Sequence, residues 1–220
     1  MRVLVVAAHP DDEVLCAGGT IARHVGDGDT VHTAILCEGA SIRYGSERVA
    51  EINDQAHKAA EILGVQDLTM FDLPDQRLDT IPISDVAAPV EQMVSQFDPE
   101  VIYTHYGGDI NRDHQIVAEA VAVAARPYPA PRVREILMFE SASLSWGTTH
   151  FTHRSFDPTL FVDISGTLDR KLEAMTAYQT EQRDFPHPRS IEALRDQARY
   201  WGSRINRQAA EAFAPLRIVR

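Results

Sequence analysis

An unbroken apolar run that ends in a string of metal-binding side chains leaves this chain few folds to choose from. Val3 to Ala8 (VLVVAA) is followed at once by His9-Pro10-Asp11-Asp12-Glu13. The run is β-rich and has no polar alternation, the pattern of a central strand covered on both faces. Pro10 cannot donate to a ladder, so pairing stops and the polar string falls on the turn beyond the strand's carboxyl end. Open α/β sheets carry their sites at that edge. Gly18 and Gly19 are then expected to let the following helix approach the sheet closely.

The string divides into chemical roles. His9 and Asp12 offer an imidazole nitrogen and a carboxylate oxygen to one zinc ion, a set that needs one more imidazole to become a hydrolytic site with open water positions. Asp11 is left over between them. A carboxylate beside an activated water, but not itself a ligand, is placed to take that water's proton. Capping of the next helix is the plainer use of acids here, and for Glu13 alone it is the preferred one.

The remaining chain continues the alternation. Helices are expected over residues 14–25, 46–63 and 83–97, and strands over 30–37, 67–73 and 100–105, with polar turns between them. Strand-helix-strand repetition implies right-handed crossovers and a mostly parallel sheet. After the fourth strand, which ends in the ambiguous His105, a Gly-Gly turn leads into Asp109, Asn111, Arg112, Asp113 and His114, and an apolar helical stripe follows. His114 thus opens a helix at the same sheet edge as His9 and can be the third ligand. Asp113 is placed either to bond a ring nitrogen of a neighbouring histidine or to hold substrate. Further on come a strand over 134–140, a polar loop over 141–153 that suits a lid, a strand-like run over 156–164, and helices over 167–178 and 191–206. Ser190 is a plausible cap of the last helix.

Composition narrows the classes. With 220 residues, 44% of them hydrophobic, the chain can bury one sizeable core, and a single α/β domain over 1–220 is expected: a Rossmann-like three-layer sandwich. A formal net charge of −11 argues against nucleic acid and against an anionic membrane surface as partners. Cys16 and Cys37 lie in apolar contexts and read as small core residues rather than a disulfide. No long apolar segment or cleavage-site pattern opens the sequence, so a soluble cytoplasmic protein is expected.

AHPDDE at Ala8 to Glu13, with Asp113-His114 opening a helix about a hundred residues later, resembles the PIG-L/LmbE-like zinc-dependent deacetylases. The helix bearing Arg48 and Glu51, the LPD at Leu73 to Asp75, the DIS at Asp163 to Ser165 and the HPRS at His187 to Ser190 look like the family's bacterial branch, so the likeness spans most of the chain. It implies removal of an N-acetyl group from a glucosamine conjugate, with one zinc per chain held by His9, Asp12 and His114, Asp11 as general base, and a homo-oligomer. One departure stands out. Many members carry His-x-x-Asp-His, and Asn111 stands here where that first histidine would be; Asn can donate to an oxyanion but cannot titrate. Asp11 acting twice, Asn111 and His187 are therefore the candidates for the remaining catalytic work. Arg48, Asp109, Arg112, Asp113 and Arg189 are the candidates for binding substrate. An amidase acting on a larger thiol or acyl conjugate, or a metal-dependent ligand-binding protein without catalysis, are the other readings.

Overall fold

The computed structural model describes residues 1–39, 45–128, 133–141 and 155–220. Seven strands form one sheet in the order β3-β2-β1-β4-β5-β7-β6. They are β1 (Arg2–Ala7), β2 (Thr30–Cys37), β3 (Asp67–Leu73), β4 (Val101–His105), β5 (Glu135–Phe139), β6 (Leu160–Asp163) and β7 (Ala210–Ile218). The helices are α1 (Asp12–Gly26), α2 (Ser46–Leu63), α3 (Ile83–Phe97), α4 (Arg112–Ala124), α5 (Leu168–Ala177) and α6 (Ile191–Ser203). The first five strands are mutually parallel, and β7 runs antiparallel to both β5 and β6.

The alternation of side chains along β1 divides two cores. Val3, Val5 and Ala7 join a cluster with α1, α2, α5 and α6, while Leu4, Val6 and Ala8 join α3 and α4 on the other face. A strand apolar at every position therefore has a use for every position. Cys16 and Cys37 are buried and free, as their contexts imply. The chain builds β2 and β3 to one side of β1 and then returns to place β4 on the other, so the order reverses between β1 and β4. Loops leaving those two strands diverge and open a crevice at the carboxyl edge. Among the described residues no helix is long and apolar enough to cross a membrane.

Several expectations change. The strand-like run over 156–164 forms a strand only over Leu160–Asp163, and the last helix stops at Ser203. β7 carries no strong strand signal in its sequence, AEAFAPLRI, because Ala and Glu are poor strand formers and Pro215 lacks a donor. Tertiary context makes the strand. It pairs with β5 over residues 213–218, with a register irregularity at Ile136/Leu137, while β6 pairs only with residues 210–213 and leaves the second edge open at Pro215. The close approach expected of α1 is also made elsewhere. A Cβ on Gly19 would lie 2.6 Å from Ile164 Cδ1, so the glycine admits the segment after β6 rather than the parallel strands. Residues 40 and 41, expected in the exit loop of β2, and nearly all of the expected lid, Trp146 included, lie outside the described residues.

Candidate active site

The end of β1 delivers His9 and the start of α1 delivers Asp12, while the start of α4 delivers His114 from across the switch point. Their facing atoms form a small triangle. His9 Nδ1 to Asp12 Oδ2 is 3.1 Å, His114 Nε2 to Asp12 Oδ2 is 3.3 Å, and His9 Nδ1 to His114 Nε2 is 3.3 Å. Donors about 2.0–2.1 Å from a tetrahedral ion lie about 3.3 Å apart, so these three edges match one face of a zinc coordination tetrahedron.

Each ring is held from behind. His9 Nε2 lies 3.1 Å from Asp113 Oδ2, and His114 Nδ1 lies 2.9 Å from Asp109 Oδ2. Carboxylates on the far nitrogens fix the rings so that the near nitrogens turn inward. Asp113 is itself fixed by the N–H groups of Gln76 (2.7 Å) and Leu78 (3.1 Å), and Asp109 accepts from Asn111 N (2.9 Å) and from the Ser141 hydroxyl. The connection after β3 reaches the same cluster. It packs beneath His9, with Asp75 Oδ1 3.3 Å from Nε2.

The charges make the same point. Burial opposes a proton on His9, but hydrogen bonds to Asp113 and Asp12 outweigh it and raise its pKa to about 10. Burial likewise opposes the charge on His114, yet Asp12 and the bond to Asp109 raise it to about 9. For Asp12 the burial penalty is overcome by His114 and His105, which hold its carboxyl well below the usual range. Buried carboxylates thus surround two imidazoles in a field that calls for positive charge. A divalent cation at the triangle satisfies the field while leaving each ring a lone pair to offer. His105 is floor rather than ligand. It is fully buried, accepts Ala8 N–H through Nε2 at 2.9 Å and stacks on His114 at 3.9 Å.

Asp11 is the acid left over, and its backbone is unusual. It is the residue before α1 and has φ 107°. A side-chain-bearing residue there stores about 1–3 kcal/mol of strain, which its surroundings must hold. Glu13 Oε2 accepts Asp11 N–H at 3.2 Å, and Glu13 Oε1 accepts the hydroxyl of Tyr178, a residue with no exposure just past α5. Burial raises Glu13 to about 7, so this acid is a buried brace as well as a residue of the first turn. Burial, followed by the charge of Asp12, holds the Asp11 carboxyl well above the usual range, with Arg189 opposing. Arg189 Nη1 stands 3.0 Å from Asp11 Oδ2 and 2.8 Å from Glu181 Oε2.

The other candidates divide. Asp109 and Asp113 are each 1% exposed and are engaged by the histidines, the first of the two uses expected for Asp113 and a use not expected for Asp109. Asn111 caps α4 by accepting Asp113 N–H at 3.0 Å through Oδ1; its Nδ2 has no protein acceptor among the described residues. His187 Nδ1 accepts Arg189 N–H at 3.1 Å, and slight burial together with Arg189 and Arg183 lowers its pKa, so it sits neutral with Nε2 as the N–H donor. Arg112 is exposed and bonds Gln115. Arg48 lies half-buried in the first turn of α2. Tyr178, Glu181 and Ser141 were not picked out from sequence. They reach the site from remote elements and carry no local motif.

Known proteins resemble the chain over most of its length. The profile of the PIG-L family, described as GlcNAc-PI de-N-acetylase, matches residues 4–125. A probable N-acetyl-alpha-D-glucosaminyl L-malate deacetylase 2 of Bacillus cereus is 28% identical over 194 residues, covering 82% of this chain and 83% of the other. A diacetylchitobiose deacetylase of Thermococcus kodakarensis is 25% identical, covering 96% and 82%. The crystal structure of a conserved protein from Thermus thermophilus superposes with a TM-score of 0.79 at 26% identity, over 99% of this chain and 96% of that one.

Proposed function

The chain belongs to the PIG-L family, and from that footing we propose that it is a zinc-dependent N-deacetylase, hydrolysing the acetamide of an N-acetylglucosamine-containing conjugate to acetate and a free amine. The observation that carries this reading is the near-equilateral triangle of His9, Asp12 and His114 with a strained, buried Asp11 left outside it. The names of the relatives support the amino sugar as the substrate class.

His9, Asp12 and His114 would hold the zinc, which when bound would supply Lewis acidity to the amide carbonyl and lower the pKa of water toward about 7. The chain does the rest. Asp11 takes the proton from the attacking water and returns it to the departing nitrogen, the double role left to it because Asn111 cannot titrate. Asn111 Nδ2 and His187 Nε2–H are the donors proposed for the developing oxyanion. Asp109 and Asp113 hold the two rings in the tautomers that ligation needs. Arg48 and Arg112 are left as the candidates for contact with the sugar or its aglycone.

Amine release from a panel of conjugates, including methyl N-acetylglucosaminide, diacetylchitobiose and N-acetylglucosaminyl malate, tests the proposal. Activity on at least one, lost to a chelator and restored by stoichiometric zinc, is expected. A protein that binds one zinc and deacetylates none of them would favour the ligand-binding alternative.

A further inference from the structure

We propose that Arg189, backed by Glu181, is a positioning residue that grips one oxygen of Asp11 and thereby dictates which oxygen handles the proton. The inference rests on the reading of Asp11 as the base.

Three observations carry it. First, the grip is one-sided. Arg189 Nη1 meets Oδ2 at 3.0 Å, and among the described residues Oδ1 has no hydrogen-bond partner. A carboxylate has two nearly equivalent oxygens until something distinguishes them, and a guanidinium on one leaves the other to receive a proton. Second, the grip is anchored. The same nitrogen bonds Glu181 Oε2 at 2.8 Å, the Arg189 N–H is bound to His187 Nδ1, and the next residue, Ser190, caps α6 through Ala193 N–H. The arginine is thereby tied at both ends. Third, the support converges. Glu181 N–H bonds Tyr178 O, and Tyr178 braces Glu13, which accepts Asp11 N–H. One turn after α5 therefore holds the base by its backbone and, through Arg189, by its carboxylate. A residue at φ 107° needs holding on both sides.

This use of Arg189 competes with the expectation that it binds an anionic substrate group. Nη1 is already shared between two carboxylates, and an anion brought to it would displace the contact with the base. Asp11 would then lose its orientation during the step that needs it.

Kinetics of the zinc-loaded full chain separate the two uses. Wild type, Arg189→Ala, Arg189→Lys, Asp11→Asn and the double variant Asp11→Asn/Arg189→Ala are compared on neutral methyl N-acetyl-α-glucosaminide and anionic N-acetylglucosamine 1-phosphate. A misplacement of about 1 Å at a reacting group costs about 100-fold, so Arg189→Ala is expected to lower kcat by about 10–100-fold on both substrates with KM little changed. Arg189→Lys should recover part of the loss. The double variant should be no worse than Asp11→Asn alone, because the arginine acts through the aspartate. A loss confined to KM, or to the phosphate, overturns the proposal, as does a double variant that adds the two losses. If Asp11→Asn is as active as wild type, the proposed function fails first; if it is inactive while Arg189→Ala is normal, only this inference fails. Crystal structures of wild type and Arg189→Ala read the same claim without substrate. The Asp11 carboxylate should hold one orientation in the first and lose it in the second, and an unmoved Asp11 overturns the proposal.

Discussion

The part of the molecule through residue 125 and the part after it contribute to the site in different ways. The first brings every triangle ligand, the leftover acid and both ring-holding carboxylates, from two loops that leave adjacent parallel strands. The second brings none of these. It supplies braces: Tyr178 on Glu13, Arg189 and Glu181 on Asp11, Ser141 on Asp109. It also closes the sheet with a reversed strand, β7, whose Glu211 bonds Lys171 at 2.6 Å and the N–H groups of Gly19 and Thr20 on α1. Chemistry written at a switch point is carried by two short motifs, while the braces on its leftover acid come from the far end of the chain, 165 residues away for Tyr178 and Glu13 and 178 for Arg189 and Asp11.

The contrast breaks most visibly at the ligands. Asp12→Ala or His114→Ala should weaken zinc binding by more than about 100-fold, whereas Asp109→Asn and Asp113→Asn, which act through the rings, should cost about 10–100-fold in competition with a chelator. Equal losses from the two sets would erase the distinction between ligand and support. Glu211→Ala is the matching test of the second part. It leaves the ammonium of Lys171, 3% exposed, without its partner, and breaking a buried pair costs about 3–5 kcal/mol. Thermal unfolding should show that loss, with zinc affinity of the folded protein unchanged. A parallel loss of zinc would mean that β7 shapes the triangle directly.

Asn111 gives a smaller and sharper test, because it serves both the fold and the proposed chemistry. Asn111→Ala should cost about 1 kcal/mol through the lost cap of α4. Asn111→Asp keeps a capping oxygen but has no amide donor, so its stability should stay near wild type while kcat falls by about 100-fold. If Asn111→Asp retains full activity, oxyanion donation passes to His187.

What could be read from the sequence follows the same division. β2, α2, β3 and α3 take the spans that apolar periodicity and turn residues predict, because each is coded locally. His9, Asp12 and His114 are legible for the same reason: a strand fixes where the motif lands, and the sheet brings two such ends together. β7 is illegible because its strand character comes from its neighbours rather than from its alanines. Asp113 stands out beside His114 as an acid able to bond a neighbouring imidazole, but only the packed structure shows that the ring is that of His9 and that Asp109 turns toward His114. Arg189 is visible within HPRS, but its contact with Asp11 is 178 residues away in sequence. Tyr178 and Glu181 have no local pattern at all. Local rules place the three ligand candidates, and tertiary packing decides which remote side chains steady them.

In the proposed function the triangle holds the metal and the aspartate moves the proton. Asp11→Asn tests this division in one preparation, with zinc content and amine release measured together on the best conjugate of the panel. One zinc per chain with amine release reduced at least about 1,000-fold is the predicted result, as loss of a base acting at two steps requires. Loss of the zinc, or hydrolysis near the wild-type rate with zinc bound, would contradict the division and return the proton transfer to another group.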